Sequence, residues 1–91
     1  MKILFTNIGR RTYLLENALK LKKEIKQIKI YVTDCNIHAP GMNYHKDVLT
    51  SINYPVSKGK KKYLSQLLNF VKKNNIDIIF PVSDYDIKIL S

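Results

Sequence analysis

Gly9-Arg10-Arg11 places two guanidinium groups directly after one glycine, and Asp34 closes a second apolar run further along the chain. Arginine presents a planar fork of donors that matches carboxylate or phosphate oxygens. The pair stands where an apolar run, Ile3 to Ile8, gives way to a helical pattern. A helix start carries unpaired N–H groups and the positive end of the backbone dipole. Acidic residues would stabilise it, whereas two cations oppose it. Such a start either tolerates a small penalty or keeps a place for an anion. The competing reading pairs Arg10 or Arg11 with Asp34, Asp84 or Asp86 across the same end of the fold. Sequence alone leaves both open.

Other chemistries fit the residues less well. A dinucleotide site needs Gly-x-Gly-x-x-Gly before the helix and an acid after the second strand. Asp34 satisfies the second requirement, but Gly9 is the one glycine present and arginines stand where the next would be. Lys58-Gly59-Lys60 lacks the earlier glycine and the Ser/Thr of a phosphate-binding loop. Cys35, His38 and His45 are ligand types for a metal, yet their spacing is irregular and no fourth ligand accompanies them. No nucleophile–base pair stands out, because Ser83, Asp84 and the two histidines read as caps and loop residues.

Four short apolar runs and two helical patterns must position these groups. Lys2 to Asn7, Ile28 to Thr33, Val48 to Tyr54 and Ile76 to Val82 have strand length and composition. The third reads as a weaker strand near a sheet edge. The fourth is nearly continuous in apolar residues, which suits a strand covered on both faces. Between them, Arg11 to Lys26 repeats Leu14, Ala18, Leu21 and Ile25 at helical spacing, with Leu15 and Leu19 widening the stripe. Lys60 to Asn74 carries a second stripe of Leu64, Leu67, Leu68 and Val71, with Tyr63 and Phe70 alongside. Ser83-Asp84 forms a helix-capping pair, so Tyr85 to Ser91 is expected to begin a third helix. Asp34 to Asp47 is expected to be a loop without helical periodicity. Strand and helix alternating in this way predict an α/β fold, a Rossmann-like open parallel sheet of about four strands with flanking helices. Ligands of such sheets bind beyond the C-terminal strand ends, where Gly9, Arg10, Arg11, Asp34 and Asp84 all fall.

With 91 residues the chain has room for one domain and a modest core. It contains no apolar run long enough to span a membrane and opens without a signal-peptide pattern. The single cysteine, Cys35, excludes an internal disulfide, and a cytoplasmic protein is expected. A net charge of +9 is high for this length and makes a small basic nucleotide- or nucleic-acid-binding module the rival reading. Against it, the excess is mostly lysine, clustered at Lys20 to Lys29 and Lys58 to Lys62 on apparent helix ends.

The runs Ile3-Leu4-Phe5-Thr6-Asn7-Ile8-Gly9-Arg10-Arg11-Thr12-Tyr13-Leu14, Tyr31-Val32-Thr33-Asp34-Cys35-Asn36 with Ala39-Pro40, and Ile76-Asp77-Ile78-Ile79-Phe80-Pro81-Val82-Ser83-Asp84 resemble a known family. They look like the N-terminal, pre-ATP-grasp domain of ATP-grasp ligases, in the carbamoyl-phosphate synthase large-subunit-like branch. The resemblance implies one pre-ATP-grasp domain over residues 1–91, a Rossmann-like unit that packs on an ATP-grasp domain in cis or trans. It places Gly9, Arg10, Arg11, Asp34 and Asp84 around an anionic acceptor substrate. It also places ATP and magnesium in the ATP-grasp domain, with no cofactor in this chain. The sequence ends before any such machinery, so these residues alone are not expected to be a ligase. They are read as a truncated or stand-alone domain, or as a folded remnant. An exposed fourth strand or incomplete last helix would favour a homodimer.

Overall fold

The computed structural model describes residues 1–55 and 58–83. The expected helix from Tyr85 and the site residue Asp84 lie outside them. Four strands are present: β1 (Lys2–Thr6), β2 (Lys29–Asp34), β3 (Val48–Ile52) and β4 (Ile78–Pro81). Helix α1 (Thr12–Glu24) joins β1 to β2, and α2 (Lys60–Asn74) joins β3 to β4. The strands form one all-parallel sheet in the order β3-β2-β1-β4. This is the α/β, Rossmann-like arrangement expected. The chain steps outward from β1 through β2 to β3, then returns through α2 to the other side of β1. The topological switch therefore lies between β1 and β4, where the winding direction reverses and such sheets open a crevice.

Alternation along the strands builds a core on each face. Ile3, Phe5, Ile30, Val32 and Val48 turn to one side, where Leu15 of α1 meets them. Leu4 and Tyr31 turn to the other, under Tyr63 and Leu67 of α2. Double coverage explains why β1 and β2 read as continuous apolar runs. Tyr63 is fully buried, and its hydroxyl accepts a hydrogen bond from Asn7 Nδ2 at 3.1 Å. That bond ties α2 to the turn after β1.

Four expectations need correction. β4 is an edge strand among the described residues, not a strand covered on both faces. Phe80 stacks on Phe5 at 5.3 Å yet stays 47% exposed, because β4 has a neighbour on one side only. Leu21 and Ile25 are exposed rather than buried. At about 100° per residue, Leu21 lies about 120° round the helix from the buried Leu15, and Ile25 follows the last helical residue. Leu68 is exposed for the same geometric reason, one position past the buried Leu67. The segment after β2 is not all loop: Pro40–Met42 makes one 3₁₀ turn, with Gly41 and Met42 buried.

Asn75 ends α2 as expected, in the left-handed conformation (φ 54°), its N–H donating to the Lys72 carbonyl at 3.3 Å. Asparagine adopts that conformation more readily than most residues.

Candidate functional site

The turn between β1 and α1 bends through two left-handed residues, Asn7 (φ 47°) and Gly9 (φ 54°). Glycine carries no steric penalty there. Besides the Asn7–Tyr63 bond, three contacts from elsewhere in the chain hold the turn. The Ile8 N–H donates to the Thr33 carbonyl at 3.1 Å, and the Gly41 N–H donates to the Gly9 carbonyl at 3.0 Å. The third is the Asp34 carboxylate, whose Oδ2 accepts the Gly9 N–H at 2.8 Å. Its Oδ1 accepts the Asn36 N–H at 2.9 Å, so both oxygens are engaged by backbone. Asp34 is 7% exposed and has no ion-pair partner among the described residues. Its negative charge is balanced by amide dipoles rather than by a guanidinium. The pairing of Asp34 with Arg10 or Arg11 is thus absent.

Close packing completes the turn. A Cβ on Gly41 would stand 2.5 Å from both Cγ atoms of the fully buried Ile8. The 3₁₀ turn consequently approaches the β1 turn as nearly as a bare backbone permits.

The two arginines do different work. Arg11 is the N-cap of α1 but makes no side-chain cap; its guanidinium donates to the Val82 carbonyl beyond β4. It therefore links the helix start to the end of the edge strand. Arg10 is exposed, has no ion-pair partner among the described residues, and borders an open cleft of about 630 Å³. Gly9, Asp34, Asn36 and His38 line the same cleft, with Ala39 and Pro40 as its apolar side. The helix start itself offers an anion little. Arg11, Thr12 and Leu14 direct their N–H groups to the carbonyls of Ile8, Arg10 and Arg11 at 3.1, 2.9 and 3.2 Å. Arg10 supplies the guanidinium on the cleft lining.

Of the five residues assigned from sequence, the structure brings Gly9, Arg10 and Asp34 together and turns Arg11 towards Val82. Asn36 and His38 belong to the cleft as well. The Asn36 side chain accepts the His38 N–H at 2.9 Å, the local turn that an Asx residue two positions after Asp34 makes accessible. Cys35, His38 and His45 do not converge: among the described residues no group of three His, Cys, Asp or Glu side chains could hold a metal.

A parallel sheet with flanking helices and a polar cleft at its strand ends, floored by a clamped glycine turn, defines a Rossmann-like domain. The model of the PylC-like N-terminal domain family matches residues 3–91, and the chain belongs to that family. This is a family of the pre-ATP-grasp type, found as the N-terminal domain of ATP-grasp-type ligases. No curated protein and no solved structure matches the chain significantly. Among the described residues no helix is long and apolar enough to cross a membrane.

Proposed function

We propose that this chain is the substrate-side N-terminal domain of a carbamoyl-phosphate synthase-like ATP-grasp ligase, not catalytic by itself. In this reading the cleft receives the anionic end of an acceptor substrate, with Arg10 as its cation. Gly9 brings the backbone close, and Asp34 holds the turn rather than touching the ligand. Arg11 positions the helix from which Arg10 departs. Asp84, outside the described residues, retains the substrate-side role that the family resemblance implies. An ATP-grasp domain, in cis or in trans, would close the cleft and bring ATP and magnesium.

The observation that carries the reading is a guanidinium without an ion-pair partner among the described residues, beside a 630 Å³ cleft at the strand ends of a family-matched domain. Of the carboxylates that could pair with it, Asp34 is taken by amides, and Asp84 and Asp86 lie outside the described residues.

Titration of the ¹⁵N-labelled chain with acetate, glycinate and inorganic phosphate tests this. Saturable shifts of the Gly9, Arg10 and Asn36 amides are expected, and Arg10→Ala should abolish them. Shifts spread over the surface lysines, or unchanged in Arg10→Ala, would overturn the assignment. The adjoining coding sequence provides a second test, since an ATP-grasp domain is expected there.

A further inference from the structure

The two edges of the sheet are built differently. β4 ends on Pro81, and proline, which has no N–H, is one of the guards that edge strands carry against pairing. β3 carries no such guard: Val48-Leu49-Thr50-Ser51-Ile52 holds no charge and no proline, in a chain of net charge +9. Among the described residues it pairs with β2 alone. Leu49 and Ile52 on this strand are 47% and 53% exposed.

The ladder to β2 fixes which backbone groups stay open. The Asn53 N–H donates to the Asp34 carbonyl at 3.0 Å. Successive strand residues turn their backbone groups to opposite neighbours. Asn53, Ser51 and Leu49 therefore face β2, while Val48, Thr50 and Ile52 turn their N–H and carbonyl groups outward. The Val48 N–H is taken locally, donating to the His45 carbonyl at 3.2 Å. What remains open is complementary to itself. A second copy turned antiparallel about Thr50 sets residue 50 opposite 50 and residue 48 opposite 52. Each Thr50 N–H then donates to the carbonyl of the partner's Thr50. Each Ile52 N–H donates to the carbonyl of the partner's Val48.

The side chains agree with this register. Val48 belongs to the core on the α1 face, so Thr50 and Ile52 share that face by alternation. There Val48 stands beside the partner's Ile52, and the two Thr50 side chains stand together, β-branched pairs of the kind that stabilise adjacent strands. On the α2 face the partner's Leu49 stands beside Ser51. Ser51 lines a hollow of about 150 Å³ whose walls include Leu67 and Phe70, so an apolar side chain is accommodated there. Asp47 falls opposite the partner's Asn53, and no like charges are opposed.

We propose that β3 is a homodimerisation edge, at which two copies pair antiparallel about Thr50 and continue one sheet through both. Five paired residues make a small interface, so the dissociation constant is expected at about 0.01–1 mM. Two chains of charge +9 repel at a distance, so association strengthens as salt rises. Binding to a polyanion has the opposite salt response. No residue of β3 lines the Arg10 cleft, so the pairing does not depend on the ligase reading.

Sedimentation equilibrium of the full chain up to ~1 mM, at low and high salt, is expected to show a monomer–dimer equilibrium tightened at least ~threefold by salt. Amide exchange at Thr50 and Ile52 should slow as concentration rises, with Ser51 unchanged. Thr50→Lys and Thr50→Glu each oppose like charges at the two-fold and should weaken association at least ~tenfold. Thr50 is exposed, so both variants should keep the Tm of the parent. Mixing them sets Lys against Glu and should restore association to within ~threefold of the parent. A monomer at ~1 mM overturns the proposal and leaves the edge to a strand from another protein. A dimer indifferent to both substitutions overturns it in favour of another surface. Absence of recovery in the mixture overturns the pairing about Thr50.

Discussion

Removing the Asp34 carboxylate tests whether it serves the turn or a ligand. Its two oxygens accept the Gly9 N–H at 2.8 Å and the Asn36 N–H at 2.9 Å. Hydrogen bonds to a charged group contribute about 1.5–3 kcal/mol each. Asp34→Ala loses both, although water at the open cleft can reach the freed amides and recover part of the loss. The expected destabilisation is about 3–4 kcal/mol, a large fraction of the ~5–15 kcal/mol that holds an ordinary domain together. For a domain of this size each kcal/mol lowers Tm by about 4–8 °C, so a fall of at least ~12 °C is expected. Asp34→Asn keeps one acceptor but turns an amino group towards the other N–H, and should lose about half as much. Urea unfolding followed by circular dichroism measures both variants, with the m-value unchanged if the denatured state is unaffected. An Asp34→Ala variant within ~0.5 kcal/mol of the parent would refute the reasoning. The amides would then be satisfied by water, and the carboxylate would be available to a ligand.

Gly41→Ala forces a methyl against the Ile8 side chain, 2.5 Å from both Cγ atoms. Overpacking of that kind costs about 1–3 kcal/mol, and thermal melts should show it. Ile8→Ala removes the two nearest obstructing atoms, leaving the Ile8 Cβ at 3.0 Å, so the double variant should be more stable than the sum of the single losses predicts by at least ~0.5 kcal/mol; strict additivity would deny the contact. Arg11→Ala should lose about 0.5–1.5 kcal/mol with its bond to the Val82 carbonyl, whereas Arg10→Ala should unfold within ~0.5 kcal/mol of the parent. Equal behaviour of the two would erase the division of labour between them. Generic duplex DNA at low salt should bind weakly, with affinity falling steeply as salt rises and indifferent to Arg10→Ala; sequence-selective binding that persists in salt would favour the nucleic-acid reading.

The fold was legible because its signals are local and repeated. Parallel strands covered on both faces write themselves as apolar runs, and α2 runs from Lys60 to Asn74, the limits its periodicity sets. The side-chain stripes were less legible at their margins. Leu21, Ile25 and Leu68 satisfy a spacing of three or four residues, yet burial depends on how wide an arc the sheet covers, and no spacing rule contains that width. The same limit applies to β4, whose composition promised a second covering layer while its place in the strand order leaves it at an edge. At the cleft, residue type identified the participants but not their partners. An aspartate near two arginines invites an ion pair by charge alone. The Gly9 N–H lies opposite Asp34 only because β1 and β2 are adjacent and in register, Phe5 beside Val32, which brings both strand ends level. The carboxylate then meets two amides that the turns leave without carbonyl partners, and Arg10 is left to the cleft. Pairwise chemistry proposed the site; the register decided which pairs exist.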